Sequence, residues 1–239
     1  MQPIIALDFP ALEDATAFVR RFDLHQPLFV KVGMELFYAS GPQIISALRA
    51  VRPLNIFLDL KLHDIPHTVE RAAYQLGRLG IQLTTVHAAG GQQMIAAAKR
   101  GLLAGAADAG LPPARLLAIT HLTSSDQAML TTELQIDVPI ASAVQHLAAV
   151  AQAAGADGVV ASAQELPLIR AVTAPDFLVV TPGIRPADAA VGDQVRVVTP
   201  AEAARLGSSA IVVGRPITQA SDPLAAYRQI NQEWSTAHV

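Results

Sequence analysis

The run Asp59-Leu60-Lys61-Leu62-His63-Asp64, leading into Ile65-Pro66, holds two carboxylates and an ammonium within six residues. It follows an apolar, strand-like stretch, Asn55-Ile56-Phe57-Leu58. Alternation with a period of two places Phe57, Asp59 and Lys61 on one face and Leu58, Leu60 and Leu62 on the other. A carboxylate and an ammonium thus project together from the end of a buried strand. A second carboxylate follows where the chain turns toward a helix. Charges in such a place are costly to desolvate unless paired. The chemistry they offer is electrostatic stabilisation of developing charge, with proton delivery from the lysine. The bland alternatives are a structural ion pair at the rim for Asp59 and Lys61, and a helix cap for Asp64.

Lysine usage sharpens this. Of 17 lysines and arginines, only Lys31, Lys61 and Lys99 are lysines, and two of the three fall at the ends of predicted strands. A guanidinium cannot release its proton in a protein, whereas an ammonium can. The choice of lysine at 31 and 61 points to a task that a fixed guanidinium would not do.

These residues must be positioned by a regular scaffold. Strand-like runs begin at Ile4, Phe29, Asn55, Leu83, Leu116, Gly158, Phe177 and Ala210. Helical patterns follow each, over 12–22, 35–50, 68–79, 92–109, 141–154, 163–172, 200–206 and 223–233. Eight strand–helix units over 239 residues predict an α/β fold, a single (β/α)8 TIM barrel spanning 1–239. A doubly wound open sheet is the alternative. Thr199-Pro200-Ala201-Glu202 reads as a capping box, and Asp222-Pro223 reads the same way. Gly80, Gly110, Gly155 and Gly207 fall where left-handed helix ends are expected. The segment 182–198 is too long for a tight turn and reads as a binding loop or lid.

Barrel sites lie at the C-terminal ends of the strands. There the sequence places Asp8, Lys31, the pair Asp59 and Lys61, His87, Thr120-His121-Leu122-Thr123-Ser124, Thr181-Pro182-Gly183-Ile184-Arg185 and Gly214-Arg215. The last two loops are where barrels commonly take phosphate. Gly214 allows close backbone approach to an anion, and Arg215 can hold it bidentately. Asp8 could instead cap the first helix, and Arg185 and Arg215 could be plain surface arginines. His63 and His87 read as hydrogen-bonding rim residues rather than as ligands or bases. Gln194 has only its loop to recommend it.

Composition narrows the partners. Net charge is −3 with no basic field, which excludes recruitment of nucleic acid or an anionic membrane. The absence of cysteine removes disulfides, thiolate catalysis and Cys-ligated zinc, and it fits a reducing cytosol. The chain enters a strand pattern at Ile4 without a charged leader, so neither a signal peptide nor a membrane span is expected.

The whole pattern resembles the orotidine 5'-phosphate decarboxylase family over nearly the whole chain. The resemblance is carried by Ala6-Leu7-Asp8, Val30-Lys31-Val32-Gly33, the 59–66 run, Leu122-Thr123-Ser124, Thr181-Pro182-Gly183-Ile184-Arg185, Gly192-Asp193-Gln194 and Val212-Val213-Gly214-Arg215. The Asp-x-Lys-x-x-Asp core is shared with sister barrels; the other motifs make the match specific. His67 departs from the Asn common in bacterial members.

The resemblance implies a metal- and cofactor-free decarboxylation of orotidine 5'-phosphate to UMP in the cytoplasm. Lys61 would be the proton donor to C6 within a network of Lys31, Asp59, Lys61 and Asp64. Asp8 and Lys31 would bind the ribose, and Thr123 and Ser124 the pyrimidine edge. Arg185, Gln194, Gly214 and Arg215 would take the phosphate. It also implies a homodimer in which Asp64 and Thr68 reach the neighbouring site. Two rivals stand beside it. One is a sister barrel using Mg2+ on an acidic cluster, for which position 57 supplies Phe and not a carboxylate. The other is a silent phosphate-binding barrel.

Overall fold

A computed structural model describes residues 1–23, 27–186 and 197–237. Eight strands close into a parallel barrel in sequence order. They are β1 (Ile4–Ala6), β2 (Leu28–Val32), β3 (Leu54–Leu62), β4 (Leu83–His87), β5 (Arg115–Ile119), β6 (Gly158–Val160), β7 (Leu178–Thr181) and β8 (Ala210–Val213). The ring is sealed by β1 against β8, with Ile4 opposite Val212 and Ile5 opposite Val213.

The strands read as apolar runs because both faces are covered. The inward set includes Ile4, Ala6, Phe29, Phe57, Leu83, Leu117, Val180, Ala210 and Val212, which fill the barrel interior. The outward set, with Ile5, Val30, Ile56, Leu58, Leu60, Val86 and Leu116, packs under the helices. The expected division of β3 holds: Phe57 faces in, whereas Leu58 and Leu60 face the helices.

The helices are α1 (Leu12–Val19), α2 (Met34–Ser40), α3 (Gln43–Val51), α4 (Pro66–Gly77), α5 (Gly91–Asp108), α6 (Ile140–Ala153), α7 (Leu166–Arg170), α8 (Pro200–Arg205), α9 (Arg215–Thr218) and α10 (Pro223–Thr236). The helix expected over 35–50 is two helices. Gly41 sits at φ 69 and ends α2, and Pro42, which has no N–H to continue the ladder, precedes α3. The segment expected over 163–172 is also divided. A 3-10 turn at Ala163–Glu165, held by a reciprocal Ser162–Glu165 capping box, runs into α7. Thr199 accepts from the Glu202 N–H at 3.2 Å, and Asp222 accepts from the Leu224 and Ala225 N–H groups at 3.0 and 3.1 Å. Gly80, Gly110, Gly155 and Gly207 all have positive φ. Asp8 caps nothing, since α1 begins after Ala11.

One helix pair is packed unusually closely. A Cβ on Gly77 would strike the carbonyl of Leu102, one on Gly101 that of Glu70, and one on Gly105 that of Tyr74. The backbones of α4 and α5 therefore touch directly, with no side chain between them at these points. Because α4 follows the 59–66 run, this contact seats the rim next to the charged strand end.

Candidate active site

At the C-terminal mouth lies a cavity of about 440 Å3, within the range of small-molecule sites. Asp8, Lys31, Asp59, Lys61, Thr123, Arg185, Gly214 and Arg215 all line it, drawn from the ends or following loops of β1, β2, β3, β5, β7 and β8. Phe57, Ile119, Val160 and Val212 form its apolar floor and sides. The barrel thus gathers charges that are up to 207 positions apart in sequence, from Asp8 to Arg215.

The charges form a chain. Lys61 Nζ is 2.9 Å from Asp59 Oδ2, and Lys31 Nζ is 3.7 Å from the same oxygen. Lys31 Nζ also donates to Asp8 Oδ1 at 3.2 Å. Within this chain two ammonium groups face two carboxylates, and Arg185 and Arg215 on the same lining give the cavity its excess of positive charge. That arrangement suits an anionic substrate and a developing carbanion, and it is a poor seat for a divalent cation. Among the described residues no three His, Asp or Glu side chains gather as a metal site would require.

The local backbone is unusual. Between Leu58 and Leu62, β3 slips relative to β4: Leu58 stands opposite Thr84, yet Leu62 stands opposite Val86. Two residues more on β3 than on β4 fill that interval, which is a bulge of the kind found at barrel rims. Within it Lys61 adopts φ 52, a left-handed conformation that costs a non-glycine residue on the order of 1–3 kcal/mol. Thr85 answers the strain. Its hydroxyl accepts from the Lys61 N–H at 2.9 Å and donates to Asp59 Oδ1 at 2.9 Å. Thr85 and Gln219 carry no signal in the sequence; Gln219 lines this cavity, as do His121 and Pro182 from the strand-end segments already singled out.

His63 and His87 stack obliquely behind the charged chain, with ring centroids 5.5 Å apart. Burial, then the proximity of His63 and of the Lys61 ammonium, pushes the His87 imidazole below its usual range, with Asp59 opposing. His87 also borders a second, largely apolar cavity beside the first, under the segment that joins β5 to α6.

Other expected residues lie elsewhere. Asp64, Thr68 and Ser124 are exposed and do not line the cavity of their own chain. Asp64 Oδ1 accepts from the Ile65 N–H at 2.6 Å. Gln194 lies outside the described residues. The two ends of the long loop are tied together, because the Arg185 N–H donates to the Val198 carbonyl at 3.0 Å and the Val198 N–H to the Gly183 carbonyl at 3.3 Å. Arg185 is buried, its guanidinium donating to the Ile184 carbonyl at 2.9 Å. A Cβ on Gly214 would make only ordinary contacts with Ala6 and Asp8, so what a side chain there would take up is cavity space.

A closed parallel barrel with a charged cavity at the carboxyl ends of its strands is the build of a barrel enzyme. Residues 1–230 match the family described as "Orotidine 5'-phosphate decarboxylase / HUMPS family", and the chain belongs to it. Among its relatives, orotidine 5'-phosphate decarboxylase of Lactiplantibacillus plantarum is 55% identical over 232 residues, covering 97% of this chain and 98% of that one. The corresponding protein of Cutibacterium acnes is 56% identical, with coverage of 98% and 96%. The crystal structure of orotidine 5'-phosphate decarboxylase from Lactobacillus acidophilus superposes with a TM-score of 0.87 at 48% identity, covering 98% of both chains.

Proposed function

We propose that this protein converts orotidine 5'-phosphate to UMP and CO2, the last step of de novo pyrimidine synthesis, without metal or cofactor. The observation that carries this reading is the pair of ammonium groups on Asp59 Oδ2, at 2.9 and 3.7 Å, in a cavity whose wall also holds Arg185 and Arg215. Membership of the family supports it.

The chemistry follows from charge. The C6–carboxylate bond breaks, and its electron pair stays on C6 in an sp2 orbital in the ring plane. It cannot delocalise as an enolate would. A fixed cation beside C6 stabilises that pair, and the Lys61 ammonium then transfers a proton to C6. Lys61 is left neutral and regains its proton from solvent. Asp59 holds the ammonium in place, Lys31 and Asp8 take the ribose hydroxyls, and Thr123 and Ser124 meet the pyrimidine edge. Arg185, Gln194, Gly214 and Arg215 hold the phosphate. Binding energy from that remote group orders the site through the 182–198 loop.

The working form is a homodimer in the cytoplasm, with Asp64 and Thr68 completing the neighbouring site. In support, both side chains are exposed in the single chain and stand on the rim after β3 rather than in their own cavity.

The test is absorbance of orotidine 5'-phosphate with purified protein in EDTA, beside Lys61→Ala. Conversion by the wild type and none by the folded variant is the expected result. Turnover lost in EDTA would move the reading to a metal-dependent sister barrel. Substantial decarboxylation by Lys61→Ala would remove the proton-donor role.

A further inference from the structure

We propose that Thr85 is a positioning residue of this site, one hydroxyl that sets both the carboxylate of Asp59 and the backbone of Lys61. The proposal rests on the decarboxylase reading only for its kinetic arm.

Thr85 is fully buried in the middle of β4. A hydroxyl has one proton to give and two lone pairs to offer. An ionised carboxylate only accepts, so the proton of Thr85 goes to Asp59 Oδ1, and a lone pair is left for the Lys61 N–H. This division of labour has two effects. Fixing Oδ1 leaves Oδ2 turned toward the two ammonium groups. Capturing the Lys61 amide satisfies a donor that the bulge has removed from the regular ladder, at the residue whose backbone is left-handed. Acid and counter-ion are thereby tied to one rigid point on the neighbouring strand.

The adjacent residue supplies a natural control. Thr84 is also buried and on the same strand, but its side chain points the other way and donates to the Leu58 carbonyl at 2.9 Å. Thr84 supports the bulge without touching either charged group. Thr85 is therefore distinguished by what it holds and not by residue type, burial or strand.

The experiment compares wild type, Thr85→Val, Thr85→Ser and Thr84→Val, each checked for folding by circular dichroism. For Thr85→Val, kcat should fall by roughly 10- to 100-fold with KM within about 2-fold, since the lost bonds involve a charged group and act on the reacting geometry. Thr85→Ser restores the hydroxyl and should return kcat to within about 3-fold of wild type; Thr84→Val should do the same while melting earlier. Amide exchange of Lys61, followed by NMR without substrate, should be slow in wild type and Thr85→Ser and fast in Thr85→Val. If Thr85→Val does not fold, Thr85→Ala is measured in the same way. Wild-type kcat in a folded hydroxyl-less variant, an equal loss in Thr84→Val, or unchanged Lys61 exchange would each overturn the proposal. If wild type itself fails to decarboxylate, the decarboxylase reading falls, and the Lys61 exchange rate still decides the role of Thr85.

Discussion

At the mouth of the barrel Lys61 Nζ lies 2.9 Å from Asp59 Oδ2; toward the opposite, amino end of the strands, Lys99 Nζ lies 2.5 Å from Asp157 Oδ2. The two pairs use the same groups at similar distances, but their surroundings differ. Asp157 sits just before β6, and its Oδ2 also accepts from the Leu116 N–H at 2.6 Å. Its own N–H donates to the Leu116 carbonyl at 2.8 Å, and its carbonyl accepts from Leu178 at 3.0 Å. Asp157 thus joins β5 to β6 through its carboxylate and N–H, and β6 to β7 through its carbonyl. Asp59 instead takes its partners from side chains and one buried hydroxyl, and its two ammonium groups face a cavity. An ion pair whose carboxylate is also bonded to backbone is a fastener; one whose carboxylate is held by side chains alone, at the mouth of the barrel, is a reagent.

The same substitution made at both ends would test that contrast most severely. Lys61→Ala should lower kcat by about 1000-fold or more while leaving the melting temperature near wild type. Lys99→Ala should leave kcat unchanged and cost no more than about 1 kcal/mol in urea titration. A drop in kcat with Lys99→Ala, or a collapse of the fold with Lys61→Ala, would break the comparison. Within the mouth, Arg215→Ala should raise KM by about 10- to 100-fold, with the larger share of the loss in binding, as measured by initial rates. At the amino end, Asp157→Ala strands the buried Leu116 N–H and should cost about 1–3 kcal/mol of stability without changing kcat.

The smallest effect concerns pH. The fold disfavours the His87 imidazolium, chiefly through burial, so its folded pKa lies below the ordinary value of 6.5. Above that value His87 is neutral in both states and contributes nothing. As pH falls through 6.5 the unfolded chain takes up the proton first, so stability declines toward acid. Urea midpoints between pH 7.5 and 5.5 should therefore fall in wild type and fall less in His87→Asn.

Much of this was legible in the sequence. Apolar runs such as Leu116-Leu117 and Ile211-Val212 mark parallel strands buried on both faces. The period of two assigned Asp59 and Lys61 to the inside. Gly80 and Asp222 marked helix ends because their local chemistry admits few other uses. The break at Gly41-Pro42 was legible too, yet the strong apolar periodicity on either side hid it. Thr85 could not be read at all. In Leu83-Thr84-Thr85-Val86 both threonines look like ordinary β-formers, and which one faces the site depends on how β4 lies against the slipped interval of β3. That is a relation between strands and not a property of either. Residues of the dimer expectation, Asp64 and Thr68, carry no local signal beyond their position after β3.

The contact of α4 with α5 has one more consequence. Because Gly77, Gly101 and Gly105 bring main chain against main chain, the rim that begins at Asp64 and runs into α4 is located by parts that cannot change rotamer. The main chain of α4 from Glu70 to Gly77 is therefore ordered when the barrel folds. The tolerance of that rim is set by the covalent thickness of two backbones, and substitution at these three glycines is the sequence change by which it would be lost.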